Sequence, residues 1–387
     1  MKFLHISDLH IGKYLGEMSL LEDQRYFLGQ ICDLAKEKKC DAVVIAGDIY
    51  QRSIPSSDAI VVFEEFLNRL INGLNIPVMI ISGNHDSPER IGFGSSLFDQ
   101  ERLCIAGMFE RKIHRRVFTD QFGEVEFFLL PYLEPATVRS TLMDSSVNSF
   151  DDAYKVVMSL RCNCPDRSKR NVVVAHGYFV KHGSESEVIE SESERSIGGT
   201  DSVDVTVFRD FDYGAFGHLH APQKAGSDCM RYSGSMLKYS LSESTQKKSV
   251  CVVELREKGD VSFEQVTILP MRDVRLIKGY LDEIIESNRM AGESFDDFIF
   301  ADLFDEHIFD GMSRLRGVFP NAIGLRFKQS MGEDVFVPKG MEEISHMSNM
   351  ELFKSFYATV MDDEITQKRE SIAQKIMTEL EREDIQK

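Results

Sequence analysis

Short apolar runs, each followed by polar residues, recur through the first 220 residues of the chain. Five of them are Phe3–Ser7, Ala42–Ala46, Val78–Ile81, Val172–Ala175 and Tyr213–Phe216. Runs of this length that end near glycine or polar residues predict strands buried on both faces of an α/β sheet. Ligands of such sheets bind in the crevice outside the carboxyl ends of the strands. The polar residues that follow the runs are therefore expected to meet at one edge of the sheet.

Between and after these runs the pattern changes. Leu21–Lys38 and Asp58–Leu74 carry apolar residues at helical spacing. The segments Val125–Leu130, Ser249–Leu255 and Val261–Leu269 are less uniformly apolar than the five runs. They predict a second, mixed sheet packed on the first.

The expected fold class is α/β, with a two-sheet sandwich flanked by helices over residues 1–270. Residues 271–330 have a β-α-β-α-β pattern, which predicts a small α/β capping domain. Residues 331–347 are polar and contain Gly and Pro, as linkers do. Residues 348–387 predict C-terminal amphipathic helices. Such helices usually pack on their own domain, but a linker before them favours the alternative of docking on a partner.

Composition narrows the class of protein. The chain has 387 residues, a hydrophobic share of 42% and a formal net charge of −18. This charge argues against a general nucleic-acid coat protein, although it does not exclude a local phosphate site. The seven cysteines are scattered and lack zinc-finger spacing, so reduced thiols are expected. Without a membrane-spanning apolar stretch or a removable signal, a cytoplasmic location is expected.

The polar residues after the five runs are types that bind metals. Taken in chain order they are Asp8, His10, Asp48, Asn84, His176, His218 and His220. Each motif alone is unspecific, because an Asp-x-His triplet is common by chance and a lone histidine at a strand end is usually a core residue. The conjunction of all five elements instead predicts a two-metal site for cleaving phosphate esters. Two divalent cations would outweigh the two carboxylates, so an acidic chain could still attract a phosphodiester there.

The series D-L-H, G-D, G-N-H-D, H-G and G-H-L-H resembles the calcineurin-like metallophosphoesterases. Within that family, Gly83–Arg90, Ile197–Asp204 and Arg231–Ser235 resemble stretches of the nuclease subunits of bacterial SbcCD exonucleases. The resemblance covers about residues 1–270 and continues more weakly to the C-terminus.

The resemblance implies a role for each site residue. One metal would be bound by Asp8, His10, Asp48 and His220, and the other by Asp48, Asn84, His176 and His218, so that Asp48 bridges them. A hydroxide activated by both metals would attack phosphorus, while His85 assists the leaving oxygen. Histidine-rich ligation disfavours Mg²⁺ and Ca²⁺. The affinity order alone would favour zinc, but the resemblance implies two Mn²⁺ ions.

One position departs from the family pattern. Gln51 stands three residues after Asp48, where relatives more often carry Asp or His and use it near the active centre. A glutamine can hydrogen-bond a phosphate or a water, but it cannot act as a base at neutral pH. The role of this position is therefore left open.

The resemblance further implies DNA as substrate, with exonuclease action on double-stranded ends and endonuclease action on single-stranded or hairpin DNA. It implies an SMC-like coiled-coil ATPase as partner and a homodimer within a heterotetramer, with no membrane involved. The basic clusters Arg111–Arg116 and Arg167–Arg170 are interpreted as solvated strand flanks or loops, and Ser184–Glu194 as an acidic surface loop. Two alternatives stay open: a stand-alone phosphoesterase for a small molecule, cyclic nucleotide or phosphoprotein, and a non-catalytic scaffold.

Overall fold

The computed structural model describes residues 1–97, 101–181, 183, 188–191, 202–291, 296–306 and 308–327, together with Lys354, Arg369 and Glu370. The chain divides into two compact units, residues 1–326 and 327–387. The predicted linker at 331–347 lies outside the described residues. So do nearly all of the predicted C-terminal helices at 348–387 and most of the acidic run Ser184–Glu194.

The strands, in chain order, are β1 Lys2–Ile6, β2 Tyr14–Leu15, β3 Met18–Ser19, β4 Ala42–Ala46, β5 Val78–Ile81, β6 Leu103–Ala106, β7 His114–Asp120, β8 Gly123–Leu130, β9 Arg170–His176, β10 Tyr178–Val180, β11 Ser202–Asp204, β12 Tyr213–Gly217, β13 Gln223–Ala225, β14 Ser227–Tyr232, β15 Ser249–Leu255, β16 Val261–Thr267, β17 Val274–Gly279, β18 Phe298–Leu303 and β19 Ala322–Phe327. The α-helices are α1 Leu21–Glu37, α2 Ser57–Asn68, α3 Pro88–Ile91, α4 Pro135–Leu142, α5 Phe150–Ser159, α6 Leu281–Ala291 and α7 Gly311–Arg316.

Two six-stranded sheets form the centre of the first unit. The strand order is β16-β15-β1-β4-β5-β6 in the first sheet and β13-β14-β12-β9-β8-β7 in the second. In the first sheet β1, β4, β5 and β6 run parallel, and β15 and β16 form an antiparallel extension. In the second sheet β8, β9, β12 and β14 run parallel. The five apolar runs are all strands, as predicted.

Two sequence-based expectations about the sheets are wrong. Ser249–Leu255 and Val261–Thr267 extend the first sheet through the antiparallel pairing of β15 with β1, whereas they were expected in the second. The runs at Val172 and Tyr213 instead belong to the second sheet, so the five strand ends do not share one sheet edge. Apolar patterning reports how buried a strand is, but it does not report which strand is its neighbour.

A layer of large apolar side chains separates the two sheets. The ring of Phe3 on β1 packs edge-on against Phe127 of β8 at 5.2 Å and against Tyr213 of β12 at 5.9 Å between centroids. Val44 and Val174 are fully buried in the same cluster. Both faces of the central strands are therefore apolar, and this explains their continuous hydrophobic runs.

Helices cover the outer faces of the sandwich. α1 and α2 pack on the first sheet with Phe27, Ile31 and Phe66 buried, and α5 packs on the second with Tyr154 and Val157 buried. The predicted helix at Asp58–Leu74 is α2 followed by a π-helical turn, Arg69–Gly73. None of the helices in the described part of the chain is both long and apolar enough to cross a membrane.

A small α/β subdomain follows the sandwich, with the strand order β17-β18-β19 and helices α6 and α7 in the connections. The predicted β-α-β-α-β order is confirmed, while the domain boundaries at 270 and 330 stay predictions. The subdomain is attached beside the start of α1, where Arg272 Nε donates to the buried Asp23 Oδ1 at 3.0 Å. The β2–β3 hairpin also reaches it, because a Cβ on Gly16 would lie 2.5 Å from Cγ2 of Ile323.

Candidate metal centre

The carboxyl ends of five parallel strands from the two sheets converge at one side of the sandwich. Asp8 and His10 follow β1, Asp48 follows β4, and Asn84 follows β5 of the first sheet. His176 is the last residue of β9, and His218 and His220 follow β12 of the second sheet. The two sheet edges are tied together by a hydrogen bond of 2.8 Å between His176 Nδ1 and the carbonyl oxygen of Ala46.

One group of side chains in the centre consists of Asp8, His10 and His220, whose ligand atoms lie within 4.8 Å of one another. The two Nε2 atoms of His10 and His220 are 3.1 Å apart. Two nitrogens at about 2.1 Å from a shared cation lie about 3.0 Å apart when they subtend a right angle. The pair is therefore spaced as two ligands of one ion would be.

Asp48 lies between this group and the second one. Its Oδ2 is 3.6 Å from His10 Nε2 and 3.5 Å from His176 Nε2. The side-chain oxygen of Asn84 is 2.9 Å from His176 Nε2 and 3.0 Å from His218 Nδ1. All seven residues expected as ligands are therefore brought together, with Asp48 in contact with histidines of both groups.

Electrostatics in this buried cluster favour a bound cation. Burial lowers the pKa of His10 well below its usual value, and burial together with the charge of His176 lowers the pKa of His218 to about 3. Both are thus neutral, as metal ligands must be. Burial would lower the pKa of His176 too, but the charge of Asp48 and their hydrogen bond raise it to about 9. The negative charge of Asp48 therefore favours positive charge beside it, which a bound cation would supply.

The pKa values of Asp8 and Asp48 shift in opposite directions. Burial raises the pKa of Asp8. Burial also opposes ionisation of Asp48, but the charge of His176 and their hydrogen bond outweigh it, so the pKa of Asp48 lies well below its usual range. The central carboxylate therefore stays ionised, as a bridge between two cations requires.

The backbone carrying these side chains adopts unusual conformations. Asp8, His10, Asp48 and His218 have φ angles of 52°, 43°, 52° and 111°, in the region that residues with a Cβ rarely occupy. Each such residue costs of order 1–3 kcal/mol and persists only where surrounding structure imposes it. Four of them at converging strand ends point to a functional constraint on this edge.

Glycines permit the close approach of the strand ends. A Cβ on Gly83 would lie 2.2 Å from Oδ1 of Asp48, and a Cβ on Gly217 would lie 2.1 Å from the carbonyl oxygen of Ala46. Both distances are shorter than any contact that a Cβ makes in a folded protein. A side chain at Gly83 or Gly217 would therefore prevent the strand ends from approaching this closely.

The donor set fits two divalent cations. It consists of carboxylate, amide and imidazole atoms that converge at short distances from one another. Histidine-rich ligation of this kind suits transition-metal ions better than Mg²⁺ or Ca²⁺.

His85 lies at the same edge but has different contacts. Its backbone N–H donates to Asp48 Oδ1 at 2.8 Å, and its Nδ1 is 3.2 Å from the main-chain oxygen of Gln51. A hydrogen bond to a carbonyl requires the proton on Nδ1, which leaves Nε2 unprotonated in the neutral ring. One ring nitrogen also lies within 4.8 Å of ligand atoms of His10 and Asp48. That His85 is not a ligand stays a prediction.

Gln51 contacts His85 through its main-chain oxygen. Having glutamine here instead of the Asp or His of relatives therefore does not remove this hydrogen bond. Its side-chain oxygen Oε1 is buried and has no hydrogen-bond partner among the described residues. The structure assigns no catalytic contact to this side chain.

Several residues that support the centre were not found from the sequence. Asp86 accepts hydrogen bonds from the backbone of Ile49, Tyr50 and Gly83 at 2.9–3.1 Å, and so joins the loops after β4 and β5. Its position in the G-N-H-D motif was a usable signal.

Glu243 and Lys248 both contact His220. Oε1 of Glu243 is 3.1 Å from Nδ1 of His220, and Nζ of Lys248 donates to the main-chain oxygen of His220 at 2.9 Å. Burial would raise the pKa of Glu243, but hydrogen bonding to His220 and the charge of Lys248 hold it well below its usual value. These residues come close to His220 only in the folded chain, and no sequence motif predicts this contact.

Three arginines of the basic clusters that could have served DNA pair with carboxylates of this chain. Arg115 pairs with Glu126 at 3.0 Å, Arg167 with Asp210 at 2.7 Å and Arg170 with Asp120 at 2.6 Å. These contacts fit the interpretation of both clusters as strand flanks and loops.

Comparisons with known proteins agree with the geometry. A family model described as calcineurin-like phosphoesterase matches residues 1–222. The SbcD protein of the SbcCD nuclease from Staphylococcus epidermidis is 32% identical over 95% of this chain and 95% of its own length. The SbcD protein from Staphylococcus saprophyticus is 30% identical over 98% of both chains. A crystal structure of a dimetal phosphatase from Danio rerio aligns with 70% of this chain and 98% of that chain, at 11% identity and a TM-score of 0.40, which is too slight a likeness to bear on function.

We expect the substitution Gly83→Ala to abolish metal binding, because the added Cβ would displace Asp48 from its position between the two groups. Metal content after dialysis against Mn²⁺, measured by mass spectrometry, should fall below one ion per chain. Gly123→Ala is the control. It also adds a Cβ to a glycine, at a φ of +98° that side chains rarely adopt, but this Cβ would meet nothing within 4 Å. It should bind metal like the wild type, and full metal content in Gly83→Ala would contradict the packing argument.

Proposed function

This chain belongs to the calcineurin-like phosphoesterase family and, within it, to the SbcD nucleases, and we propose that it hydrolyses phosphodiester bonds of DNA at the centre formed by Asp8, His10, Asp48, Asn84, His176, His218 and His220. The observation that carries the proposal is the convergence of these side chains around Asp48. The role of each residue in metal binding is part of the proposal.

Two divalent cations bound in this centre would supply Lewis acidity, lower the pKa of a water molecule and stabilise charge on the phosphoryl oxygens. The protein positions the side chains that would bind these cations. Asp48 contacts histidines from both sheets, which keeps the two halves of the centre at a constant separation. The hydrogen bond from His85 to the Gln51 carbonyl orients that ring and uses the proton on Nδ1, so that the imidazolium form can assist departure of the leaving oxygen by a hydrogen bond or a proton from Nε2.

We propose Mn²⁺ as the physiological ion. The donor set supports a transition metal but does not discriminate between Mn²⁺ and Zn²⁺, and affinity alone would favour zinc. Availability in the cell therefore selects the ion.

A nuclease is favoured over a stand-alone phosphoesterase for small substrates. The relatives named as nucleases match this chain over nearly its whole length, including the roughly 120 residues after the sandwich. The α/β subdomain contacts the β2–β3 hairpin, which follows His10 closely in the chain. A subdomain next to the metal centre would extend the surface available to a long substrate such as duplex or hairpin DNA.

The name of the relatives supports a complex with an SbcC-type ATPase, for which we propose a heterotetramer of two copies of each protein in the cytoplasm. Residues 348–387 would bind the coiled coil of the ATPase, and residues 271–330 would form the capping domain over the substrate.

Lys13 is the cation that we propose to contact the DNA backbone beside the metals. Its ammonium group lies 5.9 Å from the ring centre of Tyr239, and that ring packs against both His10 and His220 at 5.5 Å and 5.7 Å. Lys13 is half-buried and forms no ion pair among the described residues, whereas the nearby Lys238 and Arg272 pair with carboxylates. Burial lowers the pKa of Lys13, so contact with a phosphate would offset its desolvation.

We expect His85→Ala to lower the rate of duplex cleavage by about 100-fold or more, the usual loss when a general acid is removed, while leaving two bound ions. The measurement combines cleavage of labelled linear duplex, with Mn²⁺ and the ATPase present, with metal analysis of the same preparation. His114→Ala, on the edge strand β7, is the matched control and should cleave normally. Unchanged cleavage by His85→Ala would disprove the assigned role.

We expect Lys13→Ala to weaken DNA binding more than it slows hydrolysis of bis-p-nitrophenyl phosphate, because the small ester has no flanking phosphate. The slope of log affinity against log salt should fall by about 0.9, the value for one phosphate contact. Lys38→Ala serves as the control, since Lys38 pairs with Glu264 near the opposite end of α1. An unchanged salt slope in Lys13→Ala would remove Lys13 from the DNA interface.

We expect deletion of residues 348–387 to abolish co-purification with an SbcC-type ATPase, because these residues carry the amphipathic pattern proposed for docking. Hydrolysis of bis-p-nitrophenyl phosphate should be retained, since the metal centre lies entirely within residues 8–220. If the shortened chain still binds the ATPase, the interface lies elsewhere.

A further inference from the structure

A buried carboxylate lies directly behind one of the proposed metal ligands. Glu243, in the short 3-10 turn Leu241–Glu243, has an exposed fraction of 0%. Its Oε1 is 3.1 Å from His220 Nδ1. An ionised carboxylate can only accept, so Nδ1 of His220 carries the proton and Nε2 presents its lone pair towards His10.

Lys248 holds this carboxylate in place. Its ammonium group donates to Glu243 Oε2 at 2.6 Å, to Ser235 Oγ at 2.8 Å and to the main-chain oxygen of His220 at 2.9 Å. The backbone N–H of Tyr239 donates to the same carboxylate oxygen at 3.2 Å. Lys248 therefore restrains both the acceptor of the His220 side chain and the main chain of His220. The ion pair also avoids an uncompensated buried charge.

Two other histidines of the centre have no carboxylate acceptor on Nδ1 among the described residues. Nδ1 of His176 faces a neutral acceptor, the carbonyl oxygen of Ala46. Nδ1 of His10 is buried and has no hydrogen-bond partner among the described residues. A carboxylate acceptor increases the basicity of a metal-binding imidazole more than a neutral carbonyl does, because it stabilises the positive charge that develops on the ring. Of these three histidines only His220 therefore has a carboxylate acceptor, and it belongs to the Asp8–His10–His220 group.

We infer that Glu243, held by Lys248, is a positioning residue that strengthens His220 as a ligand and makes the Asp8–His10–His220 group the tighter of the two metal sites. The inference rests on the two-metal centre proposed above and adds an order of affinity between its halves. Glu243 acts on the cation only through His220.

Mn²⁺ titration of the full chain, followed by electron paramagnetic resonance of the free ion, tests the inference. Wild type should bind two ions with resolved affinities. In Glu243→Gln the tighter dissociation constant should rise about 10- to 100-fold, the usual effect of losing such a partner, while the weaker one changes less than about twofold. Glu264→Gln removes a surface carboxylate and should leave both constants unchanged.

A double variant separates positioning from charge balance. Glu243→Gln leaves Lys248 without its ion pair and could destabilise the fold for that reason alone. Glu243→Gln with Lys248→Met removes both charges, so the metal-free protein should unfold near the wild-type temperature while the tighter site stays weakened. Wild-type Mn²⁺ affinity in the double variant, or equal loss at both sites in Glu243→Gln, would overturn the inference. Failure of the wild-type protein to bind two ions would instead overturn the proposed function.

Discussion

The hydrogen bond between His176 of the second sheet and the Ala46 carbonyl of the first is the contact on which the centre depends. It joins the two sheets at the edge where the strands end. His5 of β1 also bridges the sheets, through contacts of 3.1 Å with Tyr213 Oη and with the main-chain oxygen of Phe216 on β12. The bond from His176 to Ala46 leaves Nε2 of His176 directed at Asn84 and Asp48. Gly83 and Gly217 leave the room that this approach requires. This polar contact thus joins the two sheets at the metal centre and orients a ligand.

Much of this arrangement could be predicted from the sequence, because strand burial and the residue after each strand are local properties. The five runs are strands, and the polar residues that follow them meet as expected. Sheet membership could not be predicted, since β15 joins the first sheet by pairing with β1, about 250 residues away in the chain, and β16 joins it by pairing with β15. The support that Glu243 and Lys248 give to His220 could not be predicted for a related reason, because it depends on His220 being adjacent in space.

The acidic composition and the assigned chemistry are compatible. Three arginines of the two basic clusters, Arg115, Arg167 and Arg170, are paired with carboxylates, so these three contribute little free positive charge to a DNA surface. Cations in the centre would then provide most of the local attraction for phosphate, assisted by Lys13 and by surfaces of the ATPase partner. Binding to DNA is expected to depend on metal occupancy for this reason.

The positive φ angles of Asp8, His10, Asp48 and His218 connect folding with cofactor supply. Strained backbone and two buried carboxylates raise the free energy of the native state before any ion is present. Cations that bind the folded chain far better than the unfolded chain would stabilise the native state by mass action and so offset part of this cost. The steady-state amount of folded protein in a cell is therefore linked to the concentration of available metal, and scarcity of the ion would lower both activity and abundance.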